Sequence, residues 1–376
     1  MKKIFLTAIA ILTMASANVF GMYGVDTDWI FFLTHGNQFR ARLDQLGFTL
    51  GNDTIKGTFG FDNNTGFGGT YGALLSRATA NTQNSGDDYN WVPSISMGIG
   101  YTSSLISVGV GYNATVGPRD QKYNGKETSK TVNKSTHTPV LVLNAMDNAF
   151  RMAIPIQVYV NNDKYLGGGK SSEMAVSVDS QFRYYTGLDM LPQIRLYLRY
   201  GYYGWNSEFS GTKEKGKYAE SFGFDFRIYF GATVEEVALQ PLVKLAYNTA
   251  LGKYHSYARV QAVNAMNGSY ATFSPRWETG VWNLTLMPAL GLTANSDIVS
   301  IYLEPSLGLN VTQNGSATQK NVKETYGLGY DVYAEIYITP LKNLEWYFEA
   351  SIGNVGDTPG VAFAGTTGIT WYLPAL

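Results

Sequence analysis

The sequence predicts an all-β chain, an antiparallel transmembrane β-barrel behind a secretory leader. Three observations predict it. Apolar and polar residues alternate with period two in segment after segment from residue 54 onward, and period two marks extended strands because successive side chains point to opposite faces. Many of these segments exceed the ordinary strand length and reach the roughly 9–11 residues that a tilted strand needs to cross a bilayer. The connections alternate between short turns and long polar stretches, as in barrels with turns at one rim and loops at the other. A secreted β-sandwich shares the alternation but uses shorter strands. An open sheet is excluded in lipid, where its edges would leave backbone groups unpaired.

Composition sets the limits. Net charge is −1, so no polyanion, and no nucleic acid, is expected as a partner. With no Cys, disulfides, thiol nucleophiles and thiolate metal sites are excluded. Charged residues make up 15% of the chain against 14% aromatics, with 27 Tyr and 41 Gly, which suits strands with little charge. Lys2 and Lys3 precede an apolar stretch at residues 4–14, and Ala15, Ser16 and Ala17 supply a small-x-small site. Residues 1–21 therefore read as a signal peptide, cleaved after Ala17 or Gly21. An N-terminal periplasmic or lumenal segment is expected at 22–53 and the barrel at 54–376. Within the former, residues 26–36 fit a short helix with Asp26 or Thr27 as N-cap and Gly36 as C-cap. Phe39, Leu43 and Leu46 permit a second helix, while a strand over residues 38–50 fits nearly as well.

From residue 55 the alternation can be followed to the end. Residues 55–61 alternate, then Ile95, Met97, Ile99 and Tyr101, then Ile106 through every second residue to Val116. The pattern resumes at 150–160, 174–184, 194–202, 222–230, 237–247, 282–292, 299–309, 328–338 and 344–352, and residues 361–373 close the chain. Short turns fall near Thr102, Met146, Leu188, Val234, Ser296 and Leu341. Long polar connections at 117–138, 161–173, 205–217, 251–275 and 313–322 read as solvated loops. The count is roughly fourteen strands, or sixteen if residues 38–50 pair, with both chain ends at the short-turn rim. The apolar face is expected to meet lipid and the polar face the lumen. Pro241, Pro288 and Pro305 fall on the apolar face and predict local bulges, because Pro removes a ladder donor. Tyr184, Tyr185, the aromatics from 200 to 205, Trp371 and Tyr372 fit interfacial girdles.

Catalytic motifs are few. His35, His137 and His255 share no lumen position, so neither a Ser–His pair nor a histidine metal cluster is expected. Residues 167–172 lack the first glycine and the strand-to-helix context of a phosphate loop, and residues 109–114 match a dinucleotide fingerprint only inside a strand. No cofactor and no enzymatic activity are expected. The informative constellation is the inward charge map. Arg151, Arg183, Arg195, Arg199, Arg227 and Lys244 come from consecutive middle strands, and Glu304, Asp331, Glu335, Glu345 and Glu349 from consecutive late ones. Set on different wall sectors, roughly opposite and at comparable depth, they would impose a transverse field on a water-filled lumen. Local pairs such as Asp179 with Arg199 and Asp225 with Arg227 would instead hold a plugged interior. Residues 117–139 carry Lys122, Lys126, Lys130 and Lys134 and read as an exposed loop.

The N-terminal region also carries a likeness. MYG at 22–24, FLTHGNQFRAR at 32–42, DQLGF at 44–48 and IKGTFGF at 55–61 resemble the variable surface proteins of Brachyspira spirochaetes. The resemblance implies an abundant outer-membrane surface antigen with a mature start at Met22, and brings no catalytic residues with it. The expected function is an outer-membrane barrel that exposes variable loops at the cell surface and passes small polar solutes. The alternative is a closed barrel acting as a structural antigen or adhesin. Expected partners are outer-membrane lipid, small polar solutes or a host surface, and a second copy of the chain in a homo-oligomer.

Overall fold

The computed structural model describes residues 37–42, 45–63, 93–103, 105–116, 120–123, 126–131, 134–165, 169–234, 237–252, 257–266, 278–353 and 362–374. The leader, residues 22–36 and His255 lie outside the described residues.

Among the described residues, sixteen strands form one antiparallel ring. In chain order they are β1 (Gln38–Arg42), β2 (Gln45–Gly51), β3 (Ile55–Asn63), β4 (Pro93–Thr102), β5 (Ile106–Val116), β6 (Lys134–Ala145), β7 (Phe150–Tyr165) and β8 (Lys170–Tyr185). They continue as β9 (Gln193–Phe209), β10 (Thr212–Tyr229), β11 (Val237–Ala250), β12 (Trp282–Asn295), β13 (Val299–Gln313), β14 (Thr325–Leu341), β15 (Leu344–Gly353) and β16 (Ala362–Tyr372). Each pairs with its neighbours in sequence, and β1 pairs with β16 from Gln38↔Tyr372 to Arg42↔Gly368, which closes the ring.

The larger of the two strand counts is thus the observed one, and residues 38–51 account for the difference. Residues 38–42 and 45–51 are paired strand and not helix. β1 takes β2 on one side and β16 on the other, so the wall begins at Gln38 rather than at residue 54. Phe39, Leu46 and Phe48 are exposed on the outward face while Gln38, Arg40 and Thr49 are buried on the inward one. The helical spacing of Phe39, Leu43 and Leu46 loses because a helix here would leave β3 and β16 with bare edges.

The short connections lie at one rim and are built by side chains that close tight turns. Asn52 Oδ1 accepts from Thr54 N at 2.9 Å and Ile55 N at 2.8 Å. Ser103 and Ser296 accept from Ile106 N and Val299 N in the same manner, at 3.2 and 3.0 Å, the local side-chain turns these residues favour. At the other rim two of the expected loops are strand instead. β9 and β10 run on to Phe209↔Thr212 and turn through Ser210 and Gly211 at φ 51 and 81, the two-residue hairpin turn whose central residues need positive φ. β7 and β8 pair out to Lys164↔Lys170. A third loop, 117–138, holds a hairpin of Asp120–Tyr123 with Lys126–Thr131. Strands β7 to β10, of 16 to 18 residues, therefore run on through the segments 161–173 and 205–217 that were expected to be loops.

The alternation holds round the ring. Ile99, Leu307 and Leu328 are more than half exposed outward, while Thr138, Ser177 and Asp225 are buried inward. The predicted bulges at the prolines are absent. Pro241↔Leu290 and Pro305↔Val332 keep register. Between β12 and β13 the pairing thins around Pro288 but resumes at Ala289↔Ser306 without a slip, so the lost donors cost rungs and not alignment. The bulge beside the functional site lies at Tyr203/Gly204, where Tyr218 is the extra residue on β10.

Candidate functional site

Five of the six basic residues predicted on the inner wall form a single row, and the sixth, Arg199, stands four residues along its strand, opposite Asp179. Arg183 stands opposite Arg151 on one side and Arg195 on the other, Arg195 opposite Arg227, and Arg227 opposite Lys244. Five cations thus share one register across β7 to β11. Like charges directly opposite one another destabilise a sheet, so the row needs compensation, and two kinds are present. Tyrosine rings face the guanidiniums: Arg195 lies 4.5 Å from the Tyr229 centroid, and Arg151 and Arg227 lie 5.0 Å from Tyr185 and Tyr197, within cation–π range. Carboxylates supply the rest. Asp225, 1% exposed, accepts from Arg227 Nη2 at 2.9 Å and Nε at 3.0 Å, lies 3.4 Å from Arg199 Nη2, and has Lys244 Nζ at 3.8 Å. Asp179 meets Arg199 Nε at 3.3 Å. The local pairs and the basic sector are therefore one network.

The acidic residues also face inward, on β13, β14 and β15. Glu335 stands directly opposite Glu349. Here tyrosine contributes its hydroxyl instead of its ring. Tyr337 donates to Glu335 at 2.6 Å, Tyr333 to Glu349 at 3.2 Å, Tyr372 to Glu345 at 3.0 Å, and Tyr302 to Glu304. Ser351 donates to Asp331 at 2.9 Å. Only β12 separates the two sectors, so they adjoin around the ring rather than oppose one another.

Sequence reasoning missed the third component. Part of the connection read as solvated, residues 257–266, lies on the inner wall, ending in the short helix α1 (Ala262–Met266). Val260, Ala262 and Ala265 pack in one buried cluster with Tyr159, Ala175, Tyr203 and Ala219, with Tyr218 and Tyr257 against it. Val260 N donates to Ser221 Oγ and Ala262 N to Ser177 Oγ, both at 2.8 Å. The seat is made of small inward residues on β8, β9 and β10: Ala175, Ser177, Gly201, Ala219 and Ser221. A Cβ at Gly201 would strike the Val260 carbonyl oxygen, so glycine is required there by close approach. Arg259 Nη2 reaches Asp179 at 2.6 Å, tying this strap to the basic network. Burying Val260 and Val263 contributes about 3–6 kcal/mol to holding it. The signal was present as the run of small apolar residues Ala258, Val260, Ala262, Val263 and Ala265 within eight positions of the loop.

Around this site, Lys164, Lys170, Lys213 and Lys215 line, among other polar residues, a cavity of about 710 Å³ at the long-loop end of β7 to β10. Among the described residues no group of His, Asp or Glu is placed to hold a metal ion. Away from the lumen, Ser135 Oγ lies 3.0 Å from His137 Nε2, on the outward face. Tyr203, expected in an aromatic girdle, is 2% exposed and inward, while Tyr184 and Trp371 are exposed outward.

The family model described as Serpulina hyodysenteriae variable surface protein matches residues 2–372. No curated protein matches the sequence. Among solved structures, CdiB from Acinetobacter baumannii aligns at 9% identity and a TM-score of 0.42, over 89% of this chain and 59% of that one. The translocator domain of the autotransporter NalP from Neisseria meningitidis aligns at 11% identity and a TM-score of 0.34, over 98% of both chains. The siderophore receptor PirA from Pseudomonas aeruginosa aligns at 9% identity and a TM-score of 0.32, over 89% of this chain and 79% of that one.

Proposed function

Since the chain belongs to the Serpulina hyodysenteriae variable surface protein family and closes into a sixteen-strand barrel, we propose that it is an outer-membrane surface protein with an aqueous lumen, a passive channel for small polar solutes. The long-loop rim faces outward from the cell and displays the variable segments. The observation that carries the reading is the charged inner wall, basic on β7 to β11 and acidic on β13 to β15, enclosed by an apolar outward face. Barrels of 16 to 18 strands are wide enough to hold water. Adjoining sectors of opposite sign would orient a dipolar solute along one side of the lumen and disfavour apolar ones. The strap narrows the lumen on its basic side.

A second reading, a closed barrel serving as a structural antigen or adhesin, has its own support. Thr49, Thr58, Thr115, Thr136, Thr138 and Thr370 face inward yet are at most 5% exposed, less than an open lumen would leave them. Planar-bilayer recording of the purified protein separates the two. Stepwise conductance whose ion selectivity shifts when Arg199→Gln or Glu349→Gln is introduced supports the channel. Silence from folded protein supports the closed barrel, and conductance indifferent to both substitutions removes the role assigned to the charged wall.

A further inference from the structure

On the outward face, three polar side chains stand together where the flanking positions are apolar. His137 lies on β6 with Ser135 two residues before it, and Tyr112 comes from the neighbouring strand β5. Tyr112 Oη is 2.5 Å from His137 Nδ1, and Ser135 Oγ is 3.0 Å from His137 Nε2. Both ring nitrogens are thus engaged, one by a hydroxyl that orients the ring and the other by an aliphatic hydroxyl. This is the order nucleophile, base, orienting group that activates a serine. Period two explains how a strand builds it, because residues 135 and 137 share a face and Tyr112 reaches across from the next strand. The cross-strand partners are apolar: Val116 and Val160 beside Ser135, Ala114 and Val158 beside His137.

Depth gives the substrate class. Ser135 and His137 lie ten and eight residues before Ala145, which ends β6 at the short-turn rim. At about 3.3 Å per residue and a tilt of about 40°, that is roughly 20–25 Å above the rim, at the upper edge of an apolar band about 25 Å tall. Ester groups of membrane lipids sit at that boundary.

We propose that Ser135, His137 and Tyr112 form an acyl-transfer site for carboxylic esters of membrane amphiphiles. The substrate assignment rests on the membrane placement proposed above and not on conduction. In the tautomer that carries its proton on Nδ1, His137 donates to Tyr112 Oη and leaves Nε2 bare. Nε2 takes the Ser135 hydroxyl proton as Oγ bonds to the ester carbonyl carbon. The C–O bond to the alcohol then breaks, and the leaving oxygen takes that proton from the imidazolium. Water, deprotonated by the same nitrogen, hydrolyses the acyl-serine, releasing the fatty acid and restoring Ser135. No oxidant or metal enters the balance.

The test uses the full-length protein folded in detergent micelles. A fluorophosphonate probe is expected to label one residue, Ser135, as located by mass spectrometry. Labelling should vanish in Ser135→Ala, fall about 100-fold in His137→Gln and about tenfold in Tyr112→Phe, and be unchanged in Ser103→Ala, which removes a turn serine. Wild-type protein should release fatty acid from phosphatidylcholine in mixed micelles, and Ser135→Ala should not. Absence of labelling, labelling that survives Ser135→Ala or His137→Gln, or absence of fatty acid release each overturns the proposal, provided circular dichroism shows intact barrel. None of these readouts depends on conductance, so failure here and failure of the channel reading are told apart.

Discussion

The basic sector on β7 to β11 and the acidic sector on β13 to β15 both hold charge on an inward face, and both rely on tyrosine, but through opposite properties of that residue. The arginines lie over rings, where the quadrupole attracts a cation. The glutamates accept from hydroxyls, which bring no countercharge. The basic side also has carboxylates of its own, Asp179 and Asp225. The strap sits on the basic side and is tied there by Arg259. Two charged walls of similar size are therefore held by unlike means: one is a cross-braced network with buried ion pairs, the other a set of hydrogen-bonded carboxylates that still repel one another.

This contrast predicts unequal responses to substitution. The largest belongs to Asp225→Asn, which withdraws the one carboxylate shared by Arg199, Arg227 and Lys244. A loss of about 3–5 kcal/mol is expected, the cost of stranding buried cations, read as a lower thermal midpoint of the heat-modifiable folded band. Next is Gly201→Leu, which fills the strap's seat. The strap should be expelled at a cost of about 3 kcal/mol in lost burial, and a site within residues 257–266 should become protease-sensitive on a time scale where the wild type is resistant. Arg259→Gln, at a partly exposed pair, should cost about 0.5–1 kcal/mol, with a modest rise in cleavage of the same segment. Glu335→Gln is the mirror of the first: it relieves the Glu335–Glu349 opposition, so the midpoint should stay within about 1 kcal/mol of wild type and on the stabilised side. Equal losses from Asp225→Asn and Glu335→Gln would erase the distinction between the walls.

Much of this architecture is legible in the sequence, and the failures have physical causes. Period two is local, so the strands from Ile55 onward, apart from β6, their inward and outward faces and the membership of both charged sectors can be read directly. Residues 38–51 cannot be settled locally, because Phe39, Leu43 and Leu46 satisfy a helical period over so short a span. Their pairing with β16 across more than three hundred residues decides the matter. The common row of Arg151, Arg183, Arg195, Arg227 and Lys244 depends on register across four hairpins, which composition does not reveal. The strap is the least legible part. Its partners Ser177 and Ala262 are separated by 85 residues, and reading the whole connection as solvated conceals five small apolar side chains. Ser135 and His137 are two residues apart and so share a face, but only the placement of Tyr112 opposite Pro139 brings the hydroxyl that orients the imidazole.

The join between β1 and β16 has a consequence for assembly. β1 is five residues long while β10 is eighteen, so the ring is completed by its smallest piece. Asn37 fastens that piece: its Nδ2 donates to Gly51 O at 2.7 Å and to Pro374 O at 2.9 Å, and its carbonyl accepts from Leu373 N at 2.9 Å. The cylinder can therefore zip shut only after the last strand has been synthesised and delivered, and under load it should part first at this seam. A chain lacking the eleven residues of β16 would carry two bare edges, with β1 and β15 each ready to recruit a foreign strand.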